Sequence, residues 1–135
     1  MAYEIEERLE AELSGITAAR EIAGRFVAET AYRGAHEDVL LVVSELVTNA
    51  LLHGDGPPLL RLAGDESRIR IEVGDAAAEL PAPREPGPRD GWGLHVVERV
   101  SARWGAAPLD GGKVVWCELV AATDSDGARA GAAVG

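Results

Sequence analysis

The sequence is poor in cysteine and in positive charge. A single cysteine, Cys117, occurs among 135 residues, which excludes an intramolecular disulfide and a cysteine-based zinc site. We interpret it as a small core residue of a predicted strand. Lys and Arg number 13 against 23 Asp and Glu, which gives a formal net charge of −10. Because binding to nucleic acid requires clustered Lys and Arg, direct binding is not expected. A phosphate-binding site needs only local hydrogen-bond donors, so the negative net charge does not exclude one.

Long apolar runs are also absent. No segment approaches the roughly 20 apolar residues that span a bilayer, and no apolar stretch follows Met1. We therefore expect a cytoplasmic protein with neither a membrane span nor a secretory signal. Hydrophobic residues make up 47% of the chain, and 135 residues is the size of one ordinary domain. We expect one domain over residues 1–121. The Gly/Ala-rich segment 122–135 is expected to be a disordered tail.

The hydrophobic periodicity predicts the element order β, α, α, β, β, loop, α, β, β. Apolar and charged residues alternate over 9–13, which predicts the first strand. Helical spacing predicts helices over 16–32 and 36–53, and strands are expected over 59–63, 68–73, 106–109 and 113–120. A third helix is expected to open at Gly91 and to close at Trp104-Gly105. This order predicts an α/β (α+β) two-layer sandwich, in which three helices cover one face of a mixed, mostly antiparallel sheet.

The segment 76–90 separates the two halves of this pattern. It carries four prolines and almost no apolar periodicity. Loops of about fifteen residues are uncommon inside a compact domain, where they usually serve as lids or binding loops or are disordered. The segment therefore marks a candidate lid.

The predicted helix 36–53 is strongly apolar and yet carries polar residues on one row. Glu45 and Asn49 are four residues apart, so they project from the same helical face, and His53 extends that row. An unpartnered polar group in the core costs about 1–3 kcal/mol. The two side chains therefore either satisfy each other within the core or line a polar cavity that holds a ligand. An Asn oxygen suits Mg²⁺, and a carboxylate can accept a proton from a hydroxyl or water.

Two further elements could belong to the same site. Asp75 ends a predicted strand just before the candidate lid, where it could accept a hydrogen bond from an exocyclic amine. Gly91-Trp92-Gly93 stands at a helix start, where the backbone and the helix dipole favour an anion. Each element alone has an ordinary structural interpretation, but the order of the three elements along the chain favours a functional site. We interpret Trp104 and Trp116 as core residues, and Lys113 and Arg103 as solvated charges unless they face bound phosphates.

These motifs together resemble a known family. The run 45–50 (Glu-Leu-Val-Thr-Asn-Ala) resembles the N box of the GHKL (Bergerat-fold) ATPase and kinase superfamily. Asp75 falls where the G1 box has its adenine-binding Asp, and the run 91–97 (Gly-Trp-Gly-Leu-His-Val-Val) resembles the G2 box. The likeness covers about residues 9–120. It is strongest to the anti-sigma factor serine/threonine kinases, which the run 112–116 (Gly-Lys-Val-Val-Trp) also fits.

The resemblance implies ATP and Mg²⁺ as cofactors. Asn49 would bind the metal, Asp75 the adenine amine, and Glu45 would be the general base that activates a serine hydroxyl or a water. Gly91 and Gly93 would let the lid close on the phosphates. The remaining candidate cofactor-binding residues are His53, Ala77, Trp92 and Leu94. The implied partners are a sigma factor, an anti-sigma factor antagonist protein, or both. Formation of a homodimer is not excluded.

Some positions depart from the family pattern. Ala77 stands where the G1 box normally has a glycine, Trp92 is bulky for the G2 box, and the candidate lid has Arg84 and Arg89 as its basic residues. Two functions of different class therefore remain. One is a serine/threonine kinase, and the other is a non-catalytic, nucleotide-binding or nucleotide-free module that acts by sequestering a partner. A metal-dependent hydrolase is a distant third, because Asn49 is the one obvious metal ligand.

Overall fold

Five strands and three helices make up the part of the chain that the computed structural model describes, residues 2–75, 92–109 and 112–121. The predicted candidate lid, with Ala77, and also Gly91 and the predicted tail lie outside these residues. The predicted order of elements is confirmed. It runs β1 (Tyr3–Arg8), α1 (Ser14–Thr30), α2 (His36–His53), β2 (Leu59–Gly64), β3 (Arg68–Asp75), α3 (Trp92–Val100), β4 (Arg103–Leu109) and β5 (Gly112–Val120).

The five strands form one sheet in the order β1-β2-β3-β5-β4. The sequence predicted a mixed, mostly antiparallel sheet, and every pairing among the described strands is antiparallel. Helices α1, α2 and α3 contact β2, β3 and β4 respectively, and α2 lies between the other two helices. The two-layer sandwich with three helices is therefore confirmed.

The face of the sheet that packs on the helices, here called the inner face, is apolar. One cross-strand row runs through Ile5, Leu62, Ile71, Cys117 and Trp104 on the five strands. Its three central members are fully buried, and Ile5 and Trp104 at the edges are partly buried against the core. Alternate residues along each strand point to one face, so this row and its neighbours form the floor of the core.

The opposite, outer face is charged. Arg70, Arg103 and Glu118 form ion pairs there, and Trp116 lies beneath the Arg70 guanidinium, whose central carbon is 4.4 Å from the ring centroid. A Cβ at Gly105, the cross-strand partner of Trp116, would lie only 2.9 Å from the indole, so glycine makes room for the ring. The prediction of Trp116 as a core residue is wrong, because strand alternation places it opposite Cys117.

Helix α2 lies at the centre of the helical layer, and its sequence suits that position. Its buried valine and leucine side chains each contribute about 1.5–3 kcal/mol as an upper estimate. Glu37 and Asp38 in the first turn and His53 in the last complement the helix dipole. The buried residues are Val39, Val42, Val43, Leu46, Val47 and Ala50.

Two predicted boundaries are wrong. The segment 9–13 is not a strand: Leu9 is buried, β1 ends at Arg8 and α1 begins at Ser14. Trp104 and Gly105 do not close the third helix, which ends at Val100, but lie in β4. Within the described ranges no helix has the length and apolarity needed to cross a membrane.

Candidate functional site

The row of polar residues on α2 lies at the border of the core. Glu45 and Asn49 are half-buried, between the fully buried Leu46 and Val47 and the exposed Leu52. No hydrogen bond joins Glu45 to Asn49 in the described part of the chain, so the mutual pairing considered from the sequence is not formed. Arg20 of α1 donates a 2.8 Å hydrogen bond to Ser44 Oγ and ties the two helices together next to Glu45. Both polar groups therefore remain available to a ligand.

Asp75, the last residue of β3, is held in an ion pair. Lys113 Nζ donates to its Oδ1 at 3.0 Å, and the side chains of Lys113 and Asp75 are 3% and 1% exposed. The two residues are directly opposite in the β3–β5 ladder. The prediction of Lys113 as a solvated charge is wrong. Its spacing with Val115, Cys117 and Leu119 was the signal, because that alternation places all four side chains on the inner face.

Gly54 brings the end of α2 against Asp75. A Cβ at Gly54 would lie 2.5 Å from the Asp75 carboxyl carbon and would also clash with the carbonyl oxygen of Ala50. Only a residue without a side chain fits there without displacing the carboxylate. Sequence reasoning missed this contact between Gly54 and Asp75.

The same contact joins the two predicted halves of the site. Asn49 lies five residues before Gly54, which is about 7–8 Å along a helix axis. The predicted metal-binding amide and the predicted base-binding carboxylate are thus at the same end of the helix–sheet sandwich. His53, the last residue of α2, is exposed beside them.

The start of α3 completes the described part of the site. Trp92, Gly93 and Leu94 form its first turn, and the helix packs against α2. Val97, one turn further, is fully buried. Residues 92–97 of the predicted G2 segment therefore begin a helix that packs beside the helix of the predicted N box.

The donor set can be compared with what Mg²⁺ requires. No group of three or more His, Cys, Asp or Glu side chains that could hold a metal occurs among residues 2–75, 92–109 and 112–121. Mg²⁺ commonly keeps several waters and binds through one or two protein ligands together with substrate phosphates. The half-buried Asn49 amide suits an ion that arrives with phosphate oxygens, so the residues fit a nucleotide-borne Mg²⁺.

Cys117 does not supply a nucleophile. Burial raises the pKa of its thiol to about 12, so the thiolate is negligible near neutral pH. The interpretation of Cys117 as a core residue is confirmed by its position in the buried inner row. Covalent chemistry at this thiol is therefore not part of the candidate site.

Comparison with known proteins gives one family match and similar solved structures. The family model described as "Histidine kinase-like ATPase domain" matches residues 9–117. No curated protein gives a significant match. The crystal structure of the RsbU and RsbW domains of Rv1364c from Mycobacterium tuberculosis is similar in fold, with a TM-score of 0.64 and 20% identity over 87% of this chain. The match spans 32% of that longer chain.

A second solved structure is more distant. The histidine kinase domain of a blue-light activated histidine kinase from Erythrobacter litoralis matches with a TM-score of 0.47 and 17% identity. The match covers 79% of this chain and 59% of that one.

Proposed function

We propose that this chain, which belongs to the histidine kinase-like ATPase domain family, is an ATP-binding regulatory protein of the anti-sigma factor serine/threonine kinase type. One observation carries the proposal. Helix α2 presents Glu45 and Asn49 on a half-buried row and ends in contact with Asp75 through Gly54. Asn49, suited to a metal, thus lies towards the same end of the fold as Asp75, suited to a base amine, and Glu45, suited to a proton, lies one turn before Asn49 on the same row.

Each residue would have a distinct role. Asn49 would hold Mg²⁺ through its side-chain oxygen, and the bound ion would neutralise phosphate charge. Glu45 would accept the proton of a serine hydroxyl as the hydroxyl oxygen attacks the terminal phosphorus. Asp75 would accept a hydrogen bond from the exocyclic amine of adenine. The bond between the terminal phosphorus and the bridging oxygen of ATP would break, ADP would leave, and the phosphoryl group would pass directly to the serine oxygen without a covalent enzyme intermediate.

The partners follow from the family type. An antagonist protein would supply the serine, and a sigma factor would be the protein that this chain sequesters. The fold likeness to a structure that contains an RsbW domain supports a regulatory role. The net charge of −10 suits binding to proteins rather than to nucleic acid.

Binding of ATP tests the role of Asn49. In Asn49→Ala, the affinity for ATP measured by calorimetry in the presence of Mg²⁺ should fall at least about tenfold, since a charge-assisted contact is lost. Thr48→Ala is the matched control, because Thr48 is a half-buried neighbour on the same helix. Equal affinities of wild type and Asn49→Ala would remove Asn49 from the metal site.

Phosphoryl transfer tests the role of Glu45. With labelled ATP and an antagonist protein encoded beside this chain, Glu45→Gln should lose about 10²–10⁴ in labelling rate, the usual contribution of a general base. Its ATP affinity should stay close to that of wild type. Labelling at the wild-type rate would exclude Glu45 as the base.

A second candidate is favoured by the engagement of Asp75 with Lys113. A carboxylate that already accepts a charged donor is less available to adenine, which suits a non-catalytic module that acts by sequestration. Wild-type protein that binds a sigma factor or antagonist but labels neither would support this second function over the first.

A further inference from the structure

Strand β1 leaves one edge of the sheet open. It is the first strand in the order β1-β2-β3-β5-β4, and among the described strands it pairs with β2 alone. Five of its six residues are exposed. An open edge presents unpaired backbone N–H and C=O groups, which can pair with a strand from another chain.

The ladder shows which backbone groups of β1 face the open edge. The Leu9 N–H donates to Pro58 O at 2.8 Å, so the backbone groups of Leu9 point towards β2. Residues along an antiparallel strand alternate in the direction of their hydrogen bonds, so every second residue back from Leu9 binds β2. The residues between them point their N–H and C=O groups away from β2, and these are Glu4, Glu6 and Arg8.

A groove of about 140 Å³ lies between this edge strand and α1. Its apolar lining is Ile5, Ile22 and Phe26, and its charged lining is Glu7, Arg25 and Glu29. A cavity of roughly this size takes a small apolar group. A strand added beside β1 would turn every second side chain towards the helices, where an aliphatic one can enter the groove.

The open edge is acidic. Residues 2–13 hold five glutamates and one arginine. That arginine, Arg8, donates from Nη1 to Pro57 O at 3.2 Å, just before β2, and Arg61 of β2 engages Glu6 at 3.1 Å. Opposite charges on neighbouring strands stabilise their pairing, and like charges destabilise it. The edge therefore favours a basic strand.

The same charges argue against occupants from this chain. Strand β1 has three glutamates and one arginine, a net charge of −2, so the β1 strand of a second copy would be repelled. Segment 76–91 has three acidic and two basic residues, and segment 122–135 has two acidic and one basic. Neither segment carries the positive charge that the edge favours, and the four prolines of 76–91 also disfavour a strand.

We propose that the open edge of β1 and the groove beside it bind an extended, basic segment of a partner protein as an added antiparallel strand. Basic side chains of that segment meet Glu4 and Glu6 on the outer face. An aliphatic side chain between them enters the groove next to Ile5. The binding goes beyond the proposed function, because it uses neither Glu45 nor Asn49 and needs no nucleotide.

Titration with a synthetic peptide tests the inference. The probe is an acetylated and amidated six-residue peptide in which arginine and valine alternate. Wild type without nucleotide should bind it with a Kd below about 1 mM, and the affinity should fall as ionic strength rises. A peptide with three arginines followed by three valines has the same charge but no alternation, and it should bind more weakly. Equal affinities for the two peptides would overturn the inference.

Variants at Glu4 separate the charge from the backbone. Glu4→Gln should weaken binding of the alternating peptide by about two- to fivefold, the effect of one cross-strand charge pair. Glu4→Pro has the same charge as Glu4→Gln but lacks the outward N–H, so it should weaken binding by about a further threefold. Glu98→Gln is the matched control, since α3 contacts β4 at the opposite edge of the sheet, and it should bind like wild type. Equal affinities of Glu4→Gln and Glu4→Pro would contradict strand addition.

Hydrogen exchange of single amides, followed by NMR, needs no variant. At a peptide concentration about ten times the Kd, exchange at Glu4 and Glu6 should slow about tenfold, whereas Ile5, already in the ladder, should change less. Slow exchange at Glu4 and Glu6 without peptide would overturn the inference. If it depends on protein concentration, a second copy occupies the edge, and if it does not, another segment of this chain does. None of these outcomes affects the proposed function, which ATP binding tests separately.

Discussion

The two faces of the sheet use the same chemistry in opposite surroundings. On the inner face, Lys113 and Asp75 form an ion pair with both side chains almost fully buried. On the outer face, Glu118 accepts from Arg70 at 2.9 Å and from Arg103 at 2.8 Å, next to Trp116. The distances are nearly equal, so geometry alone does not distinguish the two clusters.

What differs is the cost of losing a partner. On the outer face Glu118 is only 11% exposed, but its partners Arg70 and Arg103 are 36% and 65% exposed. Water can therefore replace a lost partner around the arginines, and exposed pairs contribute about 0–1 kcal/mol. Inside, removing one partner of an ion pair is strongly destabilising, because the other charge stays in surroundings of low dielectric constant. The comparison teaches that burial of both partners makes each depend on the other, whereas Glu118 shares its charge between two arginines that reach solvent.

The largest effect is expected from breaking the inner pair. Lys113→Met should lower the free energy of unfolding by about 3–5 kcal/mol, because the buried Asp75 carboxylate loses its lysine partner. The double variant Asp75→Asn with Lys113→Met should recover much of that loss. Urea unfolding at pH 7 without nucleotide measures both. A loss below about 1 kcal/mol in the single variant would show that the pair is as replaceable as those on the outer face.

A smaller effect is expected from the aromatic residue of the outer face. Trp116→Ala should lower the free energy of unfolding by about 1–2 kcal/mol, since it removes a half-buried ring that covers Gly105 and contacts the Arg70 guanidinium. Trp116→Phe should retain most of the stability. If thermal and urea unfolding give the alanine variant wild-type stability, the outer face contributes little through packing.

Substitution of Arg70 and of Arg103 should lower the free energy of unfolding by different amounts. Arg70→Ala should cost about 1 kcal/mol, because Arg70 also pairs with Glu72 at 2.7 Å and lies over Trp116. Arg103→Ala should cost less than about 0.5 kcal/mol, since its side chain is 65% exposed. Parallel urea titrations compare them, and a larger loss for Arg103 than for Arg70 contradicts the ranking.

The smallest effect should appear as a pH dependence. Hydrogen bonds from Arg103, and then Arg70, lower the pKa of Glu118. The stability from Glu118 is therefore present above the unfolded-state pKa of about 4.3 and is lost as the pH falls through the lower folded-state pKa. The stability difference between wild type and Glu118→Gln, on the order of 0.5 kcal/mol at pH 7, should shrink below about pH 4. A difference that is constant from pH 7 to pH 3 would exclude this linkage.

Much of the fold was predictable because its pattern is local. The alternation of Ile69, Ile71 and Val73 predicted β3, and the apolar stripe of α2 predicted a buried helix. The first strand was not predictable in this way. Strand β1 lies at the sheet edge with five of its six residues exposed, so its own sequence shows no inner and outer face. Strand β1 forms because it pairs with β2, whose residues are distant from β1 along the chain.

In the candidate site, too, local patterns were predictable and contacts between distant residues were not. Glu45 and Asn49 were identifiable from their spacing on one helix, and their roles stay predictions. The engagement of Asp75 by Lys113 joins residues 38 positions apart, and it depends on the register of two strands on either side of the segment 76–90. The alternation of β5 placed Lys113 on the inner face, but only the ladder showed which carboxylate it would meet.

The contact between Gly54 and Asp75 has a mechanical consequence. With no side chain between them, the last turn of α2 and the end of β3 meet backbone to carboxyl group. A shift of Asp75 towards the helix cannot be absorbed by a change of rotamer at position 54, so it would press directly on the backbone that follows α2. A side chain introduced at position 54 would for the same reason push the Asp75 carboxyl group away from the end of the helix.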